Sequence, residues 1–174
     1  MGEDLAAKFR NFVESVSKRI PGYAGYLERE ERRESDKLLR THLESSLRAI
    51  KNKIDKIAVK LTDAGSIGLL KPINRATKMI EKVADRIRFA DYGYSGFFDL
   101  ERIGESELEK IYNFDMGLQA GIEAIGKKVD GVESVLGGVT ETESALSALL
   151  EELEGFDNRL SQRESVIAGG LKDG

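Results

Sequence analysis

A carboxylate stands where a long helix calls for a leucine. Apolar residues run Leu108, Ile111, Leu118, Ile122, Ile125, Val129, Val132 and Leu136, and the alternating steps of three and four land on Asp115 between Ile111 and Leu118. That spacing marks the buried stripe of a packed helix. A carboxylate on such a stripe needs cationic or hydrogen-bonding partners, or its proton affinity must rise.

The partners are expected from an earlier helix, spanning about Tyr26 to Thr62. Its stripe Leu43, Leu47, Ile50, Ile54, Ile57 and Leu61 continues backward in the same phase as Arg40, Asp36, Arg33, Arg29 and Tyr26. The planar arginine fork grips a carboxylate through two hydrogen bonds. The register predicts that Arg33 or Arg40 pairs with Asp115, with Asp36 bridging the two arginines. Tyr92, Tyr94 and Phe97, from the aromatic loop Tyr92 to Asp99, and Tyr112 on the helix of Asp115 fall at the same end. The candidate binding set is therefore Arg29, Arg33, Asp36, Arg40, Tyr92, Tyr94, Phe97, Tyr112 and Asp115. It has two readings. In one, the charges form a buried layer that fixes helix register; in the other, they floor a pocket for a partner or ligand.

Other chemistries fail on residue type. The single histidine, His42, has Leu39 three positions before it, so the Glu-x-x-His pairs of a di-iron helical site are absent. Without cysteine there is no thiolate nucleophile, thiolate metal ligand or disulfide. Gly65-Ser-Ile-Gly68 lacks the lysine of a phosphate loop, and Gly93-Tyr-Ser-Gly96 lacks the Gly-x-Ser-x-Gly pattern of a nucleophile elbow. The sequence calls for no catalytic residue, metal or cofactor.

The elements that would position the candidate set are all helical. Leu5 to Ile20 is a short amphipathic helix with Phe9, Phe12, Val13 and Val16 on one face, ended by Pro21-Gly22. After Tyr26 to Thr62 comes a turn at Asp63 to Gly68. A third helix carries Leu69, Ile73, Ala76, Ile80, Val83, Ile87 and Ala90, with Pro72 in its first turn. Ser106-Glu-Leu-Glu109 matches a capping box opening the fourth helix. Gly137-Gly138 breaks it near Leu136, and Thr140 opens a fifth with Leu146, Leu149, Leu153, Phe156, Leu160 and Ile167, and with Arg163 in its stripe. Short connections make successive helices antiparallel.

Charge is unevenly placed. The 174 residues carry a net charge of -4, yet residues 1–91 hold 20 Lys and Arg against 14 acids, and 92–174 hold 7 against 17. Basic and acidic helices lying side by side account for this. Acids dilute the basic residues throughout, which argues against nucleic acid as a partner. No stretch approaches the roughly 20 apolar residues of a spanning helix. The absence of cysteine fits a reducing cytoplasm.

The segments Gly22-Tyr23, Arg29 to Arg33, Ser35-Asp36-Lys37, Arg40, Tyr92 to Asp99 and Tyr112-Asn-Phe-Asp115 resemble those of a set of prokaryotic all-helical proteins, a resemblance that covers about Pro21 to Leu136 and implies no particular activity. In architecture, long helices behind a short amphipathic one, the chain is similar to phage-shock-type membrane-stress proteins. That likeness implies a peripheral membrane role for residues 1–20.

The expected fold is all-α: an elongated antiparallel bundle or coiled coil of three to four long helices with a short amphipathic N-terminal helix. Residues 1–167 form one domain and 168–174 a flexible, glycine-rich tail. The expected function is a non-enzymatic interaction or scaffold protein. It binds a protein partner or ligand at the end where the second helix starts, the aromatic loop lies and the fourth helix begins. The alternative is a membrane-surface protein acting through residues 1–20. Pairing with a second copy of the chain is equally compatible with the charge pattern.

Overall fold

The computed structural model describes residues 3–90, 96–100 and 103–173, and every regular element among them is helical. Helix α1 spans Glu3–Ser17 and α2 spans Arg29–Asp63. A 3₁₀ turn at Ile67–Leu69 leads into α3, Leu70–Phe89; α4 spans Glu105–Ser134 and α5 spans Val139–Asp173. At about 1.5 Å per residue, α2 and α5 are each roughly 50 Å long. Tyr92 and Tyr94 lie outside the described residues.

Four long helices pack on one another. Helix α2 packs against α3 and α4, and α5 packs against α4 and α3. Successive helices are antiparallel, as short connections require, but the lateral neighbours α2 and α4 run parallel. So do α3 and α5. Ion pairs along the flanks mark this: Lys53 meets Asp130 at 2.8 Å and Lys60 meets Glu133 at 2.5 Å between α2 and α4. Between α3 and α5, Arg75 meets Glu154 at 2.8 Å and Lys82 meets Asp157 at 2.7 Å. Solvent screens such exposed pairs, so they add little to stability. Together they explain the lopsided charge of the sequence, because the basic α2–α3 hairpin lies against the acidic α4–α5 hairpin of the same chain.

The apolar stripes supply the core. Leu43, Leu47, Ile54, Ile57 and Leu61 of α2 meet Ile73, Ile80, Val83 and Ile87 of α3, Leu118, Ile125 and Val129 of α4, and Leu146, Leu149 and Leu153 of α5. Each fully buried leucine or isoleucine contributes about 1.5–3 kcal/mol. Helices α4 and α5 approach closely at Gly121, where a side chain would meet Phe156 and the Arg159 guanidinium, both at 2.8 Å.

Several element ends differ from the expectation. Helix α2 begins at Arg29, so Tyr26 sits in the preceding turn rather than on the helix. Helix α4 starts one residue before Ser106, with Gly104 at its cap and no capping side chain, so Ser106 does not act as the N-cap. The Glu107 carboxylate folds back into the space a side chain at position 104 would fill. The same arrangement recurs at α5, where Glu141 folds over Gly138. Helix α5 also continues past Gly169-Gly170 to Asp173, whereas the sequence ends it near Ile167. Among the described residues no helix is long and apolar enough to cross a membrane.

Candidate functional site

Asp115 is fully buried, and its cationic partner comes from α5. The Arg163 Nε donates to Asp115 Oδ1 at 2.6 Å, and its Nη2 donates to Asp36 Oδ1 at 2.9 Å. Arg40 Nε donates to the other oxygen of Asp36 at 2.7 Å, one helical turn away on α2. The Tyr26 hydroxyl donates to Asp115 Oδ2 at 2.6 Å. Two acids, two arginines and a phenol thus form one continuous layer, its charged side chains from 0% to 9% exposed.

The expected bridge is half realised. Asp36 does join two arginines, but they are Arg40 and Arg163, and neither Arg33 nor Arg40 pairs with Asp115. Arg33 turns outward to Asp99 at 3.3 Å, with both side chains more than half exposed. Arg29 likewise donates to the Asp99 carbonyl at 3.0 Å on the surface. The physical reason is that Arg29 and Arg33 point to the solvent side of the start of α2, where both meet Asp99, whereas Arg163 faces inward at the level of Asp36.

Burial dominates the electrostatics of the layer. It pushes the Asp115 carboxyl above its usual range, against the opposing pull of Arg163. Burial also works against the Arg163 charge, yet Asp115 and Asp36 hold it well above the ordinary arginine value. The Tyr26 phenol is raised by burial and by the neighbouring Asp115 charge. The layer therefore keeps Arg163 charged and the Tyr26 phenol protonated near neutrality.

An aromatic roof closes over it. Phe9 of α1 stacks on Tyr112 at 4.5 Å, Tyr26 stacks on Phe98 at 5.4 Å, and Phe97 meets Phe98 edge-on at 5.2 Å. Phe97 and Tyr112 are fully buried, so they seal the layer and do not rim an opening. The Tyr112 hydroxyl accepts the Tyr26 amide proton at 2.7 Å. This approach requires glycine at position 25, which has φ +81° and where a Cβ would stand 2.5 Å from that hydroxyl. Arg32, also buried, ties the turn down by donating to the carbonyls of Tyr26 at 2.8 Å and Leu100 at 3.0 Å.

Three participants escaped the sequence reading: Tyr26 as a hydrogen-bonding member, Arg32 and Arg163. For Arg163 the signal was present, since it interrupts the stripe of α5 as Asp115 interrupts that of α4. For Arg32 no periodic signal exists, because its partners are backbone carbonyls in loops.

The space beside Asp115, Arg40 and Arg163 is about 10 Å³, no more than one water requires. Among the described residues no cluster of three or more His, Cys, Asp or Glu is placed to hold a metal ion. Helix α1 turns Phe9 and Val16 into the body, and Ile20 beyond its end is also buried. Comparison with protein-family models, with curated proteins and with solved structures found no match to this chain.

Proposed function

We propose that the chain is a non-enzymatic interaction protein of the cytoplasm, built as a bundle whose buried charges fix the register of its helices and whose partner docks on the outside of that same end. The observation that carries this reading is the mutual pairing of Asp36, Arg40, Asp115 and Arg163 in the interior, with about 10 Å³ of space beside them among the described residues. What the end offers to a partner is its surface. Arg29 and Arg33 stand there beside Asp99, and Leu27 and Phe89 are each more than half exposed. Arginine with large apolar side chains is the composition that anchors protein interfaces.

The test is an affinity capture from native lysate, read by mass spectrometry, with wild type beside an Arg33→Glu, Phe89→Ser double variant whose fold is verified by circular dichroism. A protein captured by wild type and lost by the variant supports docking at this end. Equal capture by both proteins, or capture by neither, overturns it. Vesicle flotation checks the membrane alternative: with the α1 apolar face packed inward, the full chain is expected to stay off anionic vesicles.

A further inference from the structure

A second feature, independent of the docking reading, lies on α3 in the half of the bundle away from the charged layer. The charges of this helix are sorted by side. Its acids turn toward α2, where Glu81 meets Lys51 at 3.4 Å and Asp85 meets Arg48 at 3.2 Å. Its bases Arg75 and Lys82 turn toward α5 and pair with Glu154 and Asp157. Arg86, one turn further on, joins both Asp157 and Glu164.

Two cations remain between these flanks. Lys71 and Lys78 are exposed, and among the described residues neither forms an ion pair or a side-chain hydrogen bond. Positions 71, 75, 78 and 82 advance by four, three and four residues. They make one cationic stripe about 16 Å long on the helix surface. An open groove of about 660 Å³ lies along this stripe, lined also by Asn74 and the half-buried Met79.

Complementary charge selects a partner and steers its approach, so the partner of this face is acidic. Its shape follows from the fold itself. Carboxylates at 154, 157 and 164 of α5 already reach the cations at 75, 82 and 86, so α3 holds one acidic helix along its inner flank. The outward stripe repeats that arrangement with its carboxylates missing. A flat anionic surface would touch the lysine tips and leave Met79 uncovered, whereas a helix fills the groove.

We propose that this face of α3 docks an acidic amphipathic helix of a partner protein. Carboxylates spaced three or four residues apart lie along Lys71 and Lys78, and a small apolar side chain rests on Met79.

The experiment measures fluorescence anisotropy of a labelled, alanine-based helical peptide, with glutamates at that spacing, on full-length protein. Saturable binding is expected, weakening as salt rises. A Lys71→Glu, Lys78→Glu variant should bind about tenfold more weakly at unchanged melting temperature, because both side chains are exposed. Lys127→Glu, Lys128→Glu makes the same change in net charge on exposed positions of α4 and should keep wild-type affinity. A peptide of equal charge with a central proline, which breaks the helix, should bind about tenfold more weakly to wild type. Absence of saturable binding, equal weakening by the two charge reversals, or equal affinity for the two peptides overturns the proposal. Sedimentation and vesicle flotation check other occupants. Self-association, or binding to anionic vesicles, that the α3 reversal abolishes also overturns it and assigns the face to a second copy or to lipid.

Discussion

Arg163 and Asp115, 48 positions apart in the chain, meet at 2.6 Å with 2% and 0% of their side chains exposed. Breaking such a pair from one side leaves a buried charge without compensation, at a cost of about 3–5 kcal/mol. Asp115→Asn is therefore expected to lower unfolding free energy by that amount in urea titration, with circular dichroism unchanged below the transition. The double substitution Asp115→Leu, Arg163→Met should recover most of the loss. A single-variant effect below about 1 kcal/mol would mean that water reaches the pair.

Glycines on α4 divide by what surrounds them. At Gly121 an added methyl would collide with Phe156 and Arg159 at 2.8 Å, whereas at Gly131 nothing lies within 4 Å. Gly121→Ala is expected to destabilise by about 1–3 kcal/mol through overpacking. Gly131→Ala should stabilise by about 0.5–1 kcal/mol, since alanine is the better helix former. Opposite shifts in melting temperature check both at once; two shifts of the same sign refute the close approach of α4 and α5.

His42 gives the fold a dependence on pH. Its folded-state proton affinity is lowered by burial and by Arg19. Below about pH 6.5 the unfolded chain therefore binds the proton more readily than the folded one. Its contribution to stability is present above that pH and is lost as pH falls toward the folded value. Wild type should lose more stability than His42→Gln between about pH 7 and pH 5. Parallel stability curves would show that the imidazole titrates as it does in water.

The helices were legible because periodicity and burial are the same fact seen twice: Leu43 to Leu61, Ile73 to Ile87 and Leu118 to Val132 all face the core. The misfit at Asp115 was legible for the same reason, since a stripe that is otherwise apolar makes its exceptions visible. The partner was not. Helix phase says which way a side chain faces but not how far helices slide along one another: Arg40 and Arg163 both face the interior, and only Arg163 reaches Asp115, while Arg33 turns outward to Asp99. Antiparallel connections place the start of α2 at the same end as Asp115, which pointed to the α2 arginines, while the residue that reaches Asp115 comes from α5. The aromatic segment was read as either a cap or a binding rim. Phe97 and Phe98 are buried, a state decided by the turn at Gly25 and by Arg32 holding the carbonyls of Tyr26 and Leu100, neither of which follows a period.

The layer also imposes an order on assembly. Ribosomes release chains N-terminus first, so Asp36, Arg40 and Asp115 are present before Arg163. Until then the α2–α3 hairpin can satisfy its own Asp36–Arg40 pair, but Asp115 has the Tyr26 hydroxyl without the guanidinium it pairs with in the folded bundle. A nascent chain that has made α4 without α5 thus carries the Asp115 carboxyl without the counter-charge that accompanies its burial in the complete bundle.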